Sequence, residues 1–165
     1  MKADLKTILD DARARDTALI NLIIFTDRQA MALFRVYVTV GAATAVAAAS
    51  GLLGVDPLLH FAGPSTAAIA LVLAVACWFC LRAMVPSDVG LPGRAAEFWQ
   101  WTTDELISEE HVLRAYLQQT KAVQDVNRAT NERGAIALSW AKRLGIAAPI
   151  AGLAIGAIGL ILSGI

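Results

Sequence analysis

Three long uncharged stretches constrain this chain more than any other feature. "VYVTVGAATAVAAASGLL", Val36 to Leu53, runs 18 residues without a formal charge, and Leu144 to Ile165 runs 22. Between them, Pro57 to Leu81 is interrupted only by His60 and the turn-forming "AGPS". A bilayer core of ~30 Å takes roughly 20 helical residues at ~1.5 Å each. The outer two stretches meet that length, and the middle one leaves about 16 to 20 helical residues after Pro64, short but workable. At 165 residues there is room for one compact unit with a small appendage. A hydrophobic content of 57%, 17% charge and a mean hydropathy of +0.58 point to an integral membrane protein. The first apolar stretch begins only at Val36, behind a charged helix, which is the wrong arrangement for a cleaved leader.

Basic residues set the expected orientation. Of 14 Lys and Arg, six lie in residues 1–36, eight in 82–143, and none in 37–81 or 144–165. The positive-inside rule therefore predicts a cytoplasmic N-terminus and a cytoplasmic 82–143 segment, with the C-terminus across the inner membrane. Net charge is zero, so nothing argues for a nucleic-acid polymer as partner.

The expected fold is all-α: a cytoplasmic helix over 1–35, spans over 36–54, 64–84 and 144–165, and a cytoplasmic 85–143 segment whose long helix starts near 104. Leu19, Leu22, Ile23, Thr26, Ala30, Leu33 and Phe34 recur at helical spacing and make one apolar face, with Asp16, Asp27, Arg28 and Arg35 off it. Gly54, Asp56 and Pro57 end the first span, Pro64 suits the first turn of the second, and "VPSDVGLPGR" ends that one. Asp104 or Ser108 is the expected N-cap of the long helix, with Glu105, Glu109 and Glu110 suited to its positive end. Along it Leu113, Tyr116, Thr120, Val123, Asn127, Thr130, Gly134 and Ala137 alternate by three and four, the seam of a helix packed on another helix. No proline separates that helix from the last span, so the two read as nearly continuous.

Chemistry is sparse. His60 and His111 fall on opposite sides of the predicted membrane, without a partner at metal-ligand spacing, and no phosphate loop, nucleophile elbow or dinucleotide fingerprint occurs. No cofactor and no enzymatic activity are expected. "CWFC", Cys77 to Cys80, has the spacing of a thiol–disulfide pair, which keeps a membrane thiol oxidoreductase as a third reading; a pair of small buried cysteines is the plainer one. Phe98, Trp99 and Trp101 read as an interfacial belt, or else as a stacking platform for a ligand. In the last span Gly145, Ala148, Gly152, Gly156, Gly159 and Ser163 share one side, and Gly41, Ala45 and Ala49 or Thr44, Ala48 and Gly51 offer a matching face on the first. Such faces let helix backbones approach closely, either within the chain or between copies. No charge lies inside the spans to mark an ion relay, so a pore needs an oligomer.

Four stretches, "TDRQAMALFRVYV", "CLRAMVP", "ISEEHVLRAYLQQ" and "VNRATNERGAIALSWAKRLG", and the order in which they come, resemble the small transmembrane effectors of bacterial cyclic-nucleotide antiphage systems of the Pycsar type. The resemblance implies a conditional toxin: a cyclic nucleotide made on infection binds, the chains oligomerise, and the inner membrane is breached in abortive infection. Asn127, Arg128, Asn131 and Arg133 are then the candidates to meet a phosphate or uracil edge, Arg being suited to bidentate phosphate contact. The alternative is a stalk in which Asn127 fixes helix register and Arg128 pairs with Glu132 one turn on. A membrane scaffold that docks a soluble partner through the long helix is the competing function.

Overall fold

A computed structural model describes residues 5–54, 62–84, 89–90, 96–102 and 107–163, the side chains of Leu5, Lys6, Trp99 and Ser163 excepted. The described residues form four helices: α1 (Leu5–Leu52), α2 (Gly63–Met84), α3 (Ala96–Trp101) and α4 (Glu109–Ser163). No strand occurs among them. Three of the helices, α1, α2 and α4, are long and apolar enough to cross a membrane. The chain divides into two compact units. A polar unit holds Met1–Phe25 and Pro86–Arg133, and an apolar unit holds Thr26–Val85 and Gly134–Ile165.

Local chemistry explains the helix ends. α1 closes where Leu53 N–H bonds the Ala49 carbonyl and Gly54 turns to a φ of 68°, the left-handed conformation that glycine takes without a Cβ penalty. Asp56 and Pro57, also expected to stop α1, lie outside the described residues. α2 opens with Gly63-Pro64, where the missing proline N–H costs no ladder bond, and Thr66 bonds back to the Ala62 carbonyl through both its N–H and its hydroxyl. A Cβ on Gly63 would stand 3.2 Å from the Leu52 nitrogen, so this glycine lets the two helix ends meet. α4 is capped by Ser108, whose hydroxyl and carbonyl both receive the His111 N–H; Asp104, the other expected cap, lies outside the described residues. α4 then continues for 55 residues, with Pro149 inside it.

The apolar unit is packed with small side chains. Ala30, Ala76, Cys80, Ala83, Ala137, Ala141 and Ala148 fill its interior beside Tyr37, Leu73 and Leu138. Large apolar residues point outward instead: Leu153 is 76% exposed and Leu162 81%, with Val46, Leu71, Ile146 and Ile161 similarly open. Water-soluble cores show the reverse, and small residues at helix contacts are what close packing in lipid requires. Hydroxyls within this surface bond to their own helices, Thr39 to the Arg35 carbonyl at 2.9 Å and Thr44 to that of Val40 at 3.0 Å.

On α1, Ile23 and Ala30 are buried, while Leu22, expected on the same face, is 49% exposed. Of the two small-residue faces weighed for the first span, Ala48 and Gly51 are buried, and Ala45 and Ala49 are exposed. On α4 the tightest positions are glycines. The Tyr37 ring occupies the space that a Gly145 Cβ would take, and its hydroxyl donates to the Ala141 carbonyl at 3.2 Å. Ile69 and the Ser65 carbonyl crowd Gly152, and the Ser65 hydroxyl stands 2.9 Å from a Gly156 Cβ, whereas Gly159 faces open space. Gly145→Ala should therefore displace Tyr37 and lower stability by about 1–3 kcal/mol. Gly159→Leu should leave it within about 0.5 kcal/mol. Thermal unfolding of the detergent-solubilised chain, followed by circular dichroism, checks both.

Candidate functional site

The polar unit gathers the residues able to recognise something. Its part of α4 buries Tyr116, Thr120, Asn127 and Thr130, with Leu113 and Val123 half-buried on the same stripe. Every third or fourth residue faces inward, as the spacing predicts, but the stripe is polar where most helix seams are apolar. A buried polar side chain needs partners, and Asn127 has them. Its amide nitrogen donates to the Gly90 carbonyl at 3.0 Å, and its amide oxygen accepts the Gly90 N–H at 2.9 Å. With 0% exposure, Asn127 ties a loop backbone to α4 as a neighbouring strand would. A Cβ on Gly90 would stand 2.6 Å from Val123 Cγ1, so a larger residue here would have to displace that side chain. Gln124 adds a further tie, donating to the Ala12 carbonyl of α1 at 3.2 Å.

Asp16 corrects an expectation. Off the apolar face by sequence, it is 7% exposed, one helical turn beyond Ala12, and its Oδ1 is buried without a hydrogen-bond partner. The hydroxyl of Thr130 is in the same state. Two unanswered polar atoms in one small unit make its packing less secure than that of the apolar unit, since each costs about 1–3 kcal/mol.

Beside this seam lies a cavity of about 330 Å³, lined by Leu9, Arg13, Glu109, Val112, Leu113 and Tyr116 among others. Aromatic rings stand close by. Phe98 meets Tyr116 at 6.2 Å and Trp101 at 5.7 Å, and Trp101 meets His111 at 6.0 Å. Phe98 and Trp101, read from sequence as an interfacial belt or a stacking platform, thus join the polar unit. Aromatic side chains do sit at one end of the apolar unit, but there they are Trp78 and Trp140, which sequence reading passed over. Tryptophan spacing alone held no signal for them; their i,i+4 and i,i+3 arginines, Arg82 and Arg143, were the available clue.

Asn127 and Asn131 share a face of α4, but Arg128 and Arg133 do not join them. At about 100° per residue, Arg128, Asn131 and Arg133 stand about 100°, 40° and 240° from Asn127 around the helix. Arg128 pairs with Glu132 at 3.0 Å, Arg133 donates to the Ala129 carbonyl at 3.3 Å, and Asn127 is turned to Gly90. Among the other expected groups, Cys80 is 0% exposed in the core of the apolar unit and Cys77 is half-buried, both as free thiols; burial of this kind keeps a thiol from exchange partners. His60 lies outside the described residues, as does the Ser163 side chain. Among the described residues no three His, Cys, Asp or Glu gather to hold a metal ion.

Replacing Asn127 by Ala strips both Gly90 groups of their partner and should destabilise the polar unit by about 2–3 kcal/mol. Asp16→Leu should instead be neutral or stabilising, because it removes a buried carboxylate oxygen that has no hydrogen-bond partner. Urea unfolding followed by hydrogen exchange at Thr120 to Thr130 separates these outcomes. Compared with known proteins, the chain matches no family model, no curated protein and no solved structure.

Proposed function

We propose that this chain is an inner-membrane effector that oligomerises and permeabilises the membrane when its polar unit is triggered, as the resemblance to Pycsar-type antiphage effectors implies. The observation that carries the reading is the inverted packing of the apolar unit, alanine and glycine within and leucine and isoleucine without. A surface of that kind requires lipid or other chains around it. Spans without a charge in their middle, Arg82 standing only in the last turn of α2, favour an assembly over a single-chain conduit. Gly152 and Gly156 are already packed against Ile69 and Ser65 of α2, which leaves the open surface around Gly159 for contact between copies. In this reading the trigger is a small molecule, a cyclic nucleotide by the resemblance, and it enters the cavity beside Tyr116. The dispersed Asn127, Arg128, Asn131 and Arg133 then serve the packing of α4 around it. Cavities of this size accept small ligands.

Induced expression with candidate cyclic nucleotides supplied, scored by entry of a membrane-impermeant dye, tests the reading. Dye entry should depend on the nucleotide, and Gly159→Leu should reduce it toward the empty-vector level without a change in thermal stability. Intact membrane potential under every nucleotide, together with a soluble protein that co-purifies and is lost on deleting 106–133, would replace the effector by the scaffold.

A further inference from the structure

One end of the apolar unit carries a continuous row of rings and guanidinium groups. Arg82 lies over the Trp78 ring at 5.1 Å, and Trp78 meets Phe79 edge-on at 5.0 Å. Phe79 stacks on Trp140 at 6.2 Å, and Arg143 covers Trp140 at 5.4 Å. The row thus crosses from α2 to α4 and has an arginine at each end. Both tryptophans are about half exposed, at 52% and 47%, so the rings form a surface rather than a core. Neither guanidinium is engaged by a carboxylate among the described residues; the ion pairs there join Arg114 to Glu110 and Arg128 to Glu132. A third cation, Lys142, sits beside Arg143 and bonds the neutral Gln29 side chain at 3.0 Å.

We propose that this row is a docking strip for anionic phospholipid, with Arg82 and Arg143 holding headgroup phosphates above the Trp78 and Trp140 rings. Stacking occupies the flat face of a guanidinium and leaves its N–H edge free, and that edge matches two phosphate oxygens at once. Indole suits the same depth, since its ring is apolar and its N–H is polar. An anionic protein segment is disfavoured as the occupant. The surface that continues from Arg143 into the last span, Ile146 and Ile150, is apolar and exposed, which suits acyl chains below a charged headgroup. The inference rests on the membrane reading above, and it goes beyond that reading by naming the lipid.

The full chain, carrying Trp99→Phe and Trp101→Phe so that only Trp78 and Trp140 fluoresce, is reconstituted in phosphatidylcholine vesicles. Small amounts of brominated phosphatidylglycerol or brominated phosphatidylcholine are then added as quenchers. Phosphatidylglycerol should quench at about fivefold lower mole fraction, from roughly 1 kcal/mol for the arginine at each ring. In the Arg82→Gln/Arg143→Gln chain the two lipids should quench alike. Equal quenching by both lipids in the unsubstituted chain would overturn the anionic site and leave membrane insertion standing. Loss of the preference under excess inorganic phosphate at matched ionic strength would make free phosphate, not lipid, the ligand. No quenching by either lipid would sink the membrane reading together with the site.

Discussion

Close approach of helix backbones is the constraint on which the apolar unit depends. Its interior is built mainly from alanines, a cysteine and the faces of glycines, with Leu73, Leu138 and Tyr37 among them, so the helices approach one another closely. Dispersion between closely spaced atoms then does what burial of large side chains does in water. Two larger residues, Tyr37 and Ile69, are admitted because Gly145 and Gly152 leave room for them. Leu153, Ile161 and Leu162 are displaced outward by the same economy of space, and they define how the unit meets its surroundings.

The polar unit solves its packing by different means. Its seam runs through Thr120, Asn127 and Thr130, and its main tie is a side-chain amide holding both polar groups of one glycine. Hydrogen bonds of this kind fix geometry strongly but add little net stability, about 1 kcal/mol each. With Asp16 and Thr130 contributing unanswered atoms, the unit combines a defined arrangement with a modest margin. That combination suits a part proposed to respond to a trigger, since elements that rearrange come from the less stable end of a structure.

The helices and the α4 seam were legible in the sequence because both depend on local periodicity. Tyr116, Thr120, Asn127 and Thr130 stand three, four or seven apart, and the burial pattern follows from that spacing alone. Partners across the fold were not legible. Gly90 lies 37 positions from Asn127, and nothing in "DVGLPG" marks it as the recipient of a side-chain amide. Asp16 was misplaced because a charge near one edge of a helical face was given to solvent by default. The glycine stripe of the last span showed that something approaches, but only coordinates distinguish Gly152, covered by Ile69, from Gly159, which is open. The aromatic residues teach a similar lesson: a dense cluster, Phe98 to Trp101, drew notice that the dispersed Trp78 and Trp140 did not.

Tyr37 and Gly145 have a consequence for how this sequence can drift. The ring of one fills the volume denied to the other, so the two positions form a single lock with its key, 108 residues apart by number and adjacent in space. A bulkier residue at 145 is compatible only with a slimmer one at 37. Growth at 145 should accordingly follow shrinkage at 37, whereas a slimmer residue at 37 can arise beside an unchanged Gly145.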